Sequence, residues 1–176
     1  SIEEPVVLQV GGSDNELLKF STNLANKYGY QGVNLNVGCP SKKVSQGRMG
    51  ACLMKEADIV RGCVQAMISE SSSEVSVKCR IGVDEFESYN FFKEFISNVS
   101  DSGCNTFFVH ARKAFLKGLD PKKNRTLPPL KYDYVYKLKR EMPQLNIIIN
   151  GGIQTLEECH NQLKSVDGVM IGRSIQ

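Results

Sequence analysis

The sequence predicts an α/β protein of the TIM-barrel type, here an incomplete (β/α)8 barrel with about six βα units. Three observations carry that expectation. Short β-rich runs alternate with helical stripes along the chain. Each run puts its apolar residues on one parity and its polar residues on the other. The last two units end in glycine-containing turns.

Taken in order, Pro5–Val10 is the first run, and Asp14 behind it caps a helix that stops at Gly29. Gly32–Val37 follows, and then an apolar stripe at helical spacing formed by Ile59, Val60, Cys63, Met67 and Ile68. Glu74–Ile81 is the third run. Phe92, Phe95, Ile96 and Val99 form the next stripe, which ends before Gly103. After Thr106–Arg112, Asp133 starts a helix carrying Val135 and Leu138, and Pro143 stops it. Asn146–Asn150 precedes Thr155-Leu156-Glu157-Glu158, a capping box, and Gly168–Gly172 closes the series. Repeated βα units imply a parallel sheet with helices outside it.

Parity separates a barrel from an open doubly wound sheet. Val75, Val77, Cys79 and Ile81 oppose Ser76, Lys78 and Arg80; Phe107, Val109 and Ala111 oppose Thr106, Phe108, His110 and Arg112. Asn34 and Asn36 oppose Val33, Leu35 and Val37, and Gln9 opposes Leu8 and Val10. An open sheet needs apolar residues on both faces. Gln9, Asn36, Lys78, His110, Arg112 and Asn150 instead gather toward the C-terminal ends of their strands, where barrels carry their active sites.

At 176 residues and 41% apolar, the chain can bury one sizeable core, and its net charge of +3 permits a nucleic-acid partner without requiring one. The six cysteines form no CxxC pair and no metal-like spacing with His110 or His160, so no metal is expected. Free thiols suit a reducing compartment such as the cytoplasm, and no apolar run is long enough to span a membrane.

Three features carry chemistry. Asn34-Leu35-Asn36-Val37-Gly38-Cys39-Pro40-Ser41 sets Cys39 in a tight turn after a strand, where a thiol reaches a substrate; a buried structural cysteine fits the local context equally. Asn150-Gly151-Gly152-Ile153 and Gly172-Arg173 are turns of the kind that bind phosphate after the final barrel strands, though glycines also serve simply as turns. Lys113–Leu130 is an 18-residue stretch without periodicity, holding Lys113, Lys117, Lys122, Lys123 and Arg125 against the single acid Asp120. Such a loop suits an RNA backbone or is merely solvated. Lys42, Lys43 and Arg48 add charge beyond Cys39.

In order, NLNVGCPS, GRMGACLM, VKCRIG, HARKAFLKGLDPKKNRTLPPL, INGGI and GVMIGR resemble the tRNA-dihydrouridine synthases, from about Pro5 to Arg173. The HARKA loop is most similar to the subgroup acting on D-loop positions 20 and 20a. The resemblance implies FMN as cofactor and NADPH as reductant. It implies flavin contacts from Gln9, Lys78 and His110, and a ribityl and phosphate site at Asn150, Gly151, Gly152, Gly172 and Arg173. Cys39 is implied as the general acid, with tRNA contacts from Asn36, Asn124 and Arg125. It also implies one partial FMN-binding barrel domain over residues 1–176, beginning at the family's third strand and stopping just after the eighth, without its first two strands or its C-terminal helical tRNA-binding domain. Two other readings fit parts of the pattern. An FMN barrel oxidoreductase acting on a small pyrimidine leaves the basic loop unexplained, and an inactive RNA-binding remnant leaves Cys39, Lys78 and His110 unexplained.

Overall fold

The computed structural model describes residues 4–172. Within them, β1 (Val7–Val10), β2 (Gly32–Val37), β3 (Glu74–Arg80), β4 (Thr106–His110), β5 (Asn146–Asn150) and β6 (Gly168–Met170) form one parallel sheet in sequential order. Every neighbour in the sheet is the next strand in the chain, as in a (β/α)-barrel, and the strand order never reverses as a doubly wound sheet's does. The sheet is not closed: β1 and β6 are both edges.

The helices form where the caps and stripes place them. In α1 (Asn15–Lys27), Asp14 Oδ1 accepts from the Leu17 amide at 3.0 Å, and Gly29 beyond its end takes a positive φ of 73°. α2 (Lys42–Gln46) and a 3₁₀ turn at Gly50–Lys55 follow β2; at five and six residues they are too short to show a period in the sequence. α3 (Ala57–Glu70) and α4 (Tyr89–Ser100) bury Val60, Cys63 and Met67, and Phe92, Phe95, Ile96 and Val99. α5 (Tyr132–Glu141) begins one turn-position earlier than expected. Lys131 is its N-cap, and Asp133 lies in the first turn, where a carboxylate meets the positive end of the helix dipole. α6 (Leu156–Gln162) carries the expected capping box of Thr155 and Glu158.

Register turns the parity pattern into layers. On the outer face, Leu35, Val77, Phe107 and Ile147 are fully buried beneath the helices. On the inner face, Gln9, Asn34, Ser76, Thr106 and Asn146 lie side by side as a polar floor. Asn36, Lys78, Phe108, Ile148 and Gly168 form the layer above, and Arg80, His110, Asn150 and Met170 the rim. The floor is cross-linked: Gln9 donates to Asn34 Oδ1 at 2.8 Å, and Asn34 donates to Ser76 Oγ at 2.9 Å. Asn34, Ser76 and Thr106 are nearly inaccessible; these bonds offset the burial of the first two, and Thr106 donates to Glu74 and accepts from Asn146.

Among the described residues no helix is long and apolar enough to cross a membrane. All six cysteines are free thiols; Cys63, Cys79, Cys104 and Cys159 are buried, while Cys39 and Cys52 are half-buried.

If the outer face is the stabilising one, Phe107→Ala should cost about 3–5 kcal/mol in urea or guanidinium unfolding. Phe20→Ala, on a side chain 62% exposed, should leave the midpoint almost unchanged. Equal losses from the two would contradict this division of faces.

Candidate active site

The turn after β2 is built around Asn36. Its Oδ1 accepts from the Gly38 and Cys39 amides, both at 3.0 Å, while its Nδ2 donates to Gln9 Oε1 at 3.0 Å. The Cys39 carbonyl accepts from the Ala51 amide at 2.8 Å, which docks the turn on the 3₁₀ segment. Gly50 makes that docking possible. It has a φ of 73°, and a Cβ there would sit 2.4 Å from the Cys39 carbonyl oxygen. Held from both sides, the half-buried Cys39 lines a cavity of about 820 Å³ at the C-terminal ends of the strands.

Among the described residues no carboxylate lies in the wall of that cavity. Asn36, Cys39, Lys78, Arg80, His110, Arg125, Asn150, Gly151, Gly152 and Gly172 all contribute to it. Lys78 Nζ donates to Asn150 Oδ1 at 3.1 Å, and Asn150 Nδ2 donates to the Met170 carbonyl at 2.8 Å. Burial lowers Lys78 to about 8, with nearby Arg80 adding repulsion. His110 is pushed down to about 2, first by burial and then by Arg80, Lys78, Arg112 and Arg125, so its imidazole is neutral at any ordinary pH. Gly151 has a φ of 113°, and a Cβ there would lie 2.6 Å from the His110 ring; at Gly152, with a φ of 73°, it would meet Leu130. Only glycine lets this backbone approach the cavity so closely.

Arg80 is 3% exposed and lies on the rim layer. It donates to the carbonyls of Gly38 (2.9 Å), Lys113 (3.1 Å) and Asn124 (3.0 Å). Its position on the Lys78 parity in β3 was the sequence signal for it, but nothing local distinguished a rim arginine from a solvent-exposed one. The basic loop is organised by Asn124, which sits in the middle of a 3₁₀ turn at Lys123–Arg125 and is fully buried. Its Nδ2 donates to the carbonyls of Phe115, Leu119 and Asp120, and its Oδ1 accepts from the Phe115 amide at 2.7 Å. The expected tRNA contact from Asn124 is therefore corrected: its amide is consumed inside the loop, and it holds the loop's shape instead.

The remaining expected residues divide clearly. Asn36 and Arg125 line the cavity, Arg125 from an exposed position. Gln9 is exposed on edge strand β1 and is not part of the cavity wall; it reaches the site through Asn36. Arg173 lies outside the described residues. Thr126, Gln154 and Thr155, the last expected only as a helix cap, also line the wall, since polar residues after a strand or before a helix look like ordinary turn and cap chemistry. Lys42, Lys43, Lys117, Lys122 and Lys123 are exposed. Asp120, the loop's one acid, accepts from the Lys123 amide at 2.7 Å, and backbone bonding holds its carboxyl below the usual range. Among the described residues no group of His, Cys, Asp and Glu is arranged to hold a metal.

A family model described as Dihydrouridine synthase (Dus) matches residues 1–176. The tRNA-dihydrouridine(20/20a) synthase of Pasteurella multocida is 54% identical over 171 residues, 97% of this chain and 52% of that protein. The proteins of the same name from Yersinia pestis and Escherichia coli K12 are each 53% identical over 172 residues, covering 97% of this chain and 50% of theirs. The chain thus spans about half the length of the curated relatives it matches. Among solved structures, phosphoenolpyruvate phosphomutase from Streptomyces platensis superposes with a TM-score of 0.60 at 15% identity, over 93% of this chain and 57% of that one. That likeness concerns the fold alone, a TIM barrel.

The neutral imidazole is directly testable. The His110 ring ¹H–¹⁵N signals should not move between pH 8 and 5. The folded state holds this group below its ordinary value of about 6.5, so the unfolded chain takes up the proton first, and His110 subtracts stability as pH falls through that range. A titration step of His110 inside the range would contradict the cationic surroundings described.

Proposed function

The chain belongs to the dihydrouridine synthase family, and on that premise we propose that it reduces uridine to 5,6-dihydrouridine in the D-loop of tRNA, with bound FMN and NADPH as reductant. The observation that carries this reading is the carboxylate-free cavity in which the Cys39 turn faces Lys78 and a glycine-lined backbone. Its donors fit a flavin mononucleotide. Gly151, Gly152 and Gly172 offer closely approachable backbone for a phosphate, joined by Asn150; the resemblance adds Arg173, which lies outside the described residues. Lys78 and neutral His110 suit an electron-rich ring, with Gln9 behind Asn36.

Bound FMN, recharged by NADPH, would supply the hydride that reaches C6 of the uracil. Lys78, fixed by Asn150, is largely protonated at neutral pH and stabilises negative charge as it develops. The thiol of Cys39 gives its proton to C5, which completes the saturated 5,6 bond, and the proton is regained from solvent through the open mouth. Asn36 sets the thiol's position through the two amides it binds. A uridine must leave its stack to enter the cavity. The exposed lysines of the mouth and Arg125 provide phosphate contacts for the surrounding RNA.

Cys39→Ala should bind FMN and accept reducing equivalents from NADPH normally, because neither step uses the thiol. Reoxidation of the reduced flavin by tRNA should slow by roughly 10²–10⁴-fold in single-turnover measurement. Cys39→Ser should fall between, a hydroxyl being the poorer acid. A wild-type rate for Cys39→Ala would exclude it as the proton donor.

The loop cations make a separate prediction. Replacing Lys122, Lys123 and Arg125 by Ala should raise KM for tRNA and reduce the slope of log affinity against log salt by about one unit per lost phosphate contact, with flavin affinity unchanged for the two lysine replacements. An unaltered salt slope would count the loop out as an RNA surface.

A further inference from the structure

Arg80 holds together two segments that are far apart in sequence. Gly38 belongs to the Cys39 turn, while Lys113 and Asn124 bracket most of the basic loop, and all three carbonyls converge on one guanidinium. Among the described residues no carboxylate pairs with Arg80. Burial lowers it to about 10, with Cys39 opposing that fall and Arg112 and Arg125 adding repulsion, so it remains a cation. A buried cation without a counter-ion is a poor stability device, because its desolvation is only partly offset by neutral acceptors. What the planar fork does supply is direction: its N–H groups fix two loops relative to one another.

We propose that Arg80 is a positioning residue that couples the seating of the basic loop to the presentation of the Cys39 thiol. Asn124 folds the loop on itself, and Arg80 pins the folded loop to the turn that carries the cysteine. Displacing the loop withdraws two of the acceptors that orient the guanidinium, and the Gly38 carbonyl then loses a fixed donor. In the terms of the proposed function, RNA seated on the loop and a correctly aimed thiol become one event, so a nucleic acid that fails to engage the loop meets a poorly presented acid. The coupling itself requires neither RNA nor flavin, and only that use of it rests on the proposed activity.

The test therefore reads the protein alone. Asn124→Asp replaces a side-chain donor to three carbonyls by a repelled acceptor, while the backbone carbonyl that Arg80 binds and the Arg80 side chain itself are kept. Arg80→Lys keeps the charge and removes the fork. Two rates are followed: tryptic cleavage at Lys117, Lys122 and Lys123, and alkylation of each cysteine by iodoacetamide, mapped by peptide mass. In both variants loop cleavage should accelerate by about tenfold or more, the worth of one charge-assisted hydrogen bond. Alkylation of Cys39 should accelerate with it, while half-buried Cys52, which makes no contact with Arg80, keeps its wild-type rate. Asn124→Asp is decisive because no hydrogen bond joins Asn124 to Cys39, and Arg80, which binds the Asn124 carbonyl, is the link between them. Fast loop cleavage with Cys39 at its wild-type rate overturns the coupling. So does a loop that stays resistant, or a rise common to all six thiols, which is general loosening. Because neither readout involves uridine, failure here leaves the proposed reaction standing, and failure of that reaction leaves the coupling standing.

Discussion

One buried guanidinium sets the geometry of the cavity mouth. Among the described residues Arg80 has no acid to pair with and the wall around it has none either, so its charge is met by carbonyl dipoles from the Cys39 turn and the basic loop. The same charge contributes to the neutrality of His110 and the lowered proton affinity of Lys78. Cations gathered in a low-dielectric bowl repel one another, and the fold tolerates this because the inner face is backed by apolar outer layers that cannot rearrange. Local instability is concentrated where an anionic ligand would relieve it, a common arrangement in sites built for charge.

Much of this was legible in the sequence because two periodicities survive folding unchanged. Alternation along Glu74-Val75-Ser76-Val77-Lys78-Cys79-Arg80 assigns each side chain to a face, and parallel register then aligns Lys78 with Asn36 and Phe108, and Arg80 with His110. Caps were equally readable: Asp14 and Thr155 each accept the amide bond their residue type favours. Strand ends were less so. Ile81 and Ala111 continue the alternation but lie beyond the strand ends; Ala111 still donates to Asn150 of β5 and accepts from Lys131.

What the sequence did not reveal depends on contacts between distant segments. An RNA contact from Asn124 was implied by the family resemblance alone. The side chain is interior because its four amide bonds close the loop upon itself, and no local pattern separates those two fates. Gly50 carries no local signal within GRMGACLM, yet it leaves room for the Cys39 carbonyl. Asn36 carries both kinds of information. Its inner parity was visible, but its grip on the two amides of the cysteine turn appears only when the chain folds back on its own backbone.

The lowered proton affinity of Lys78 has a thermodynamic corollary. With its midpoint near 8, the amine is partly deprotonated in mildly alkaline buffer. Any anion settling beside it favours the ammonium form and draws a proton from solution as it binds. Association would then carry the ionisation enthalpy of whatever buffer is present, and calorimetric heats measured in phosphate and in Tris would differ for the same complex. Affinity for a non-titrating anion would also decline with rising alkalinity, through a residue that need not change its position at all.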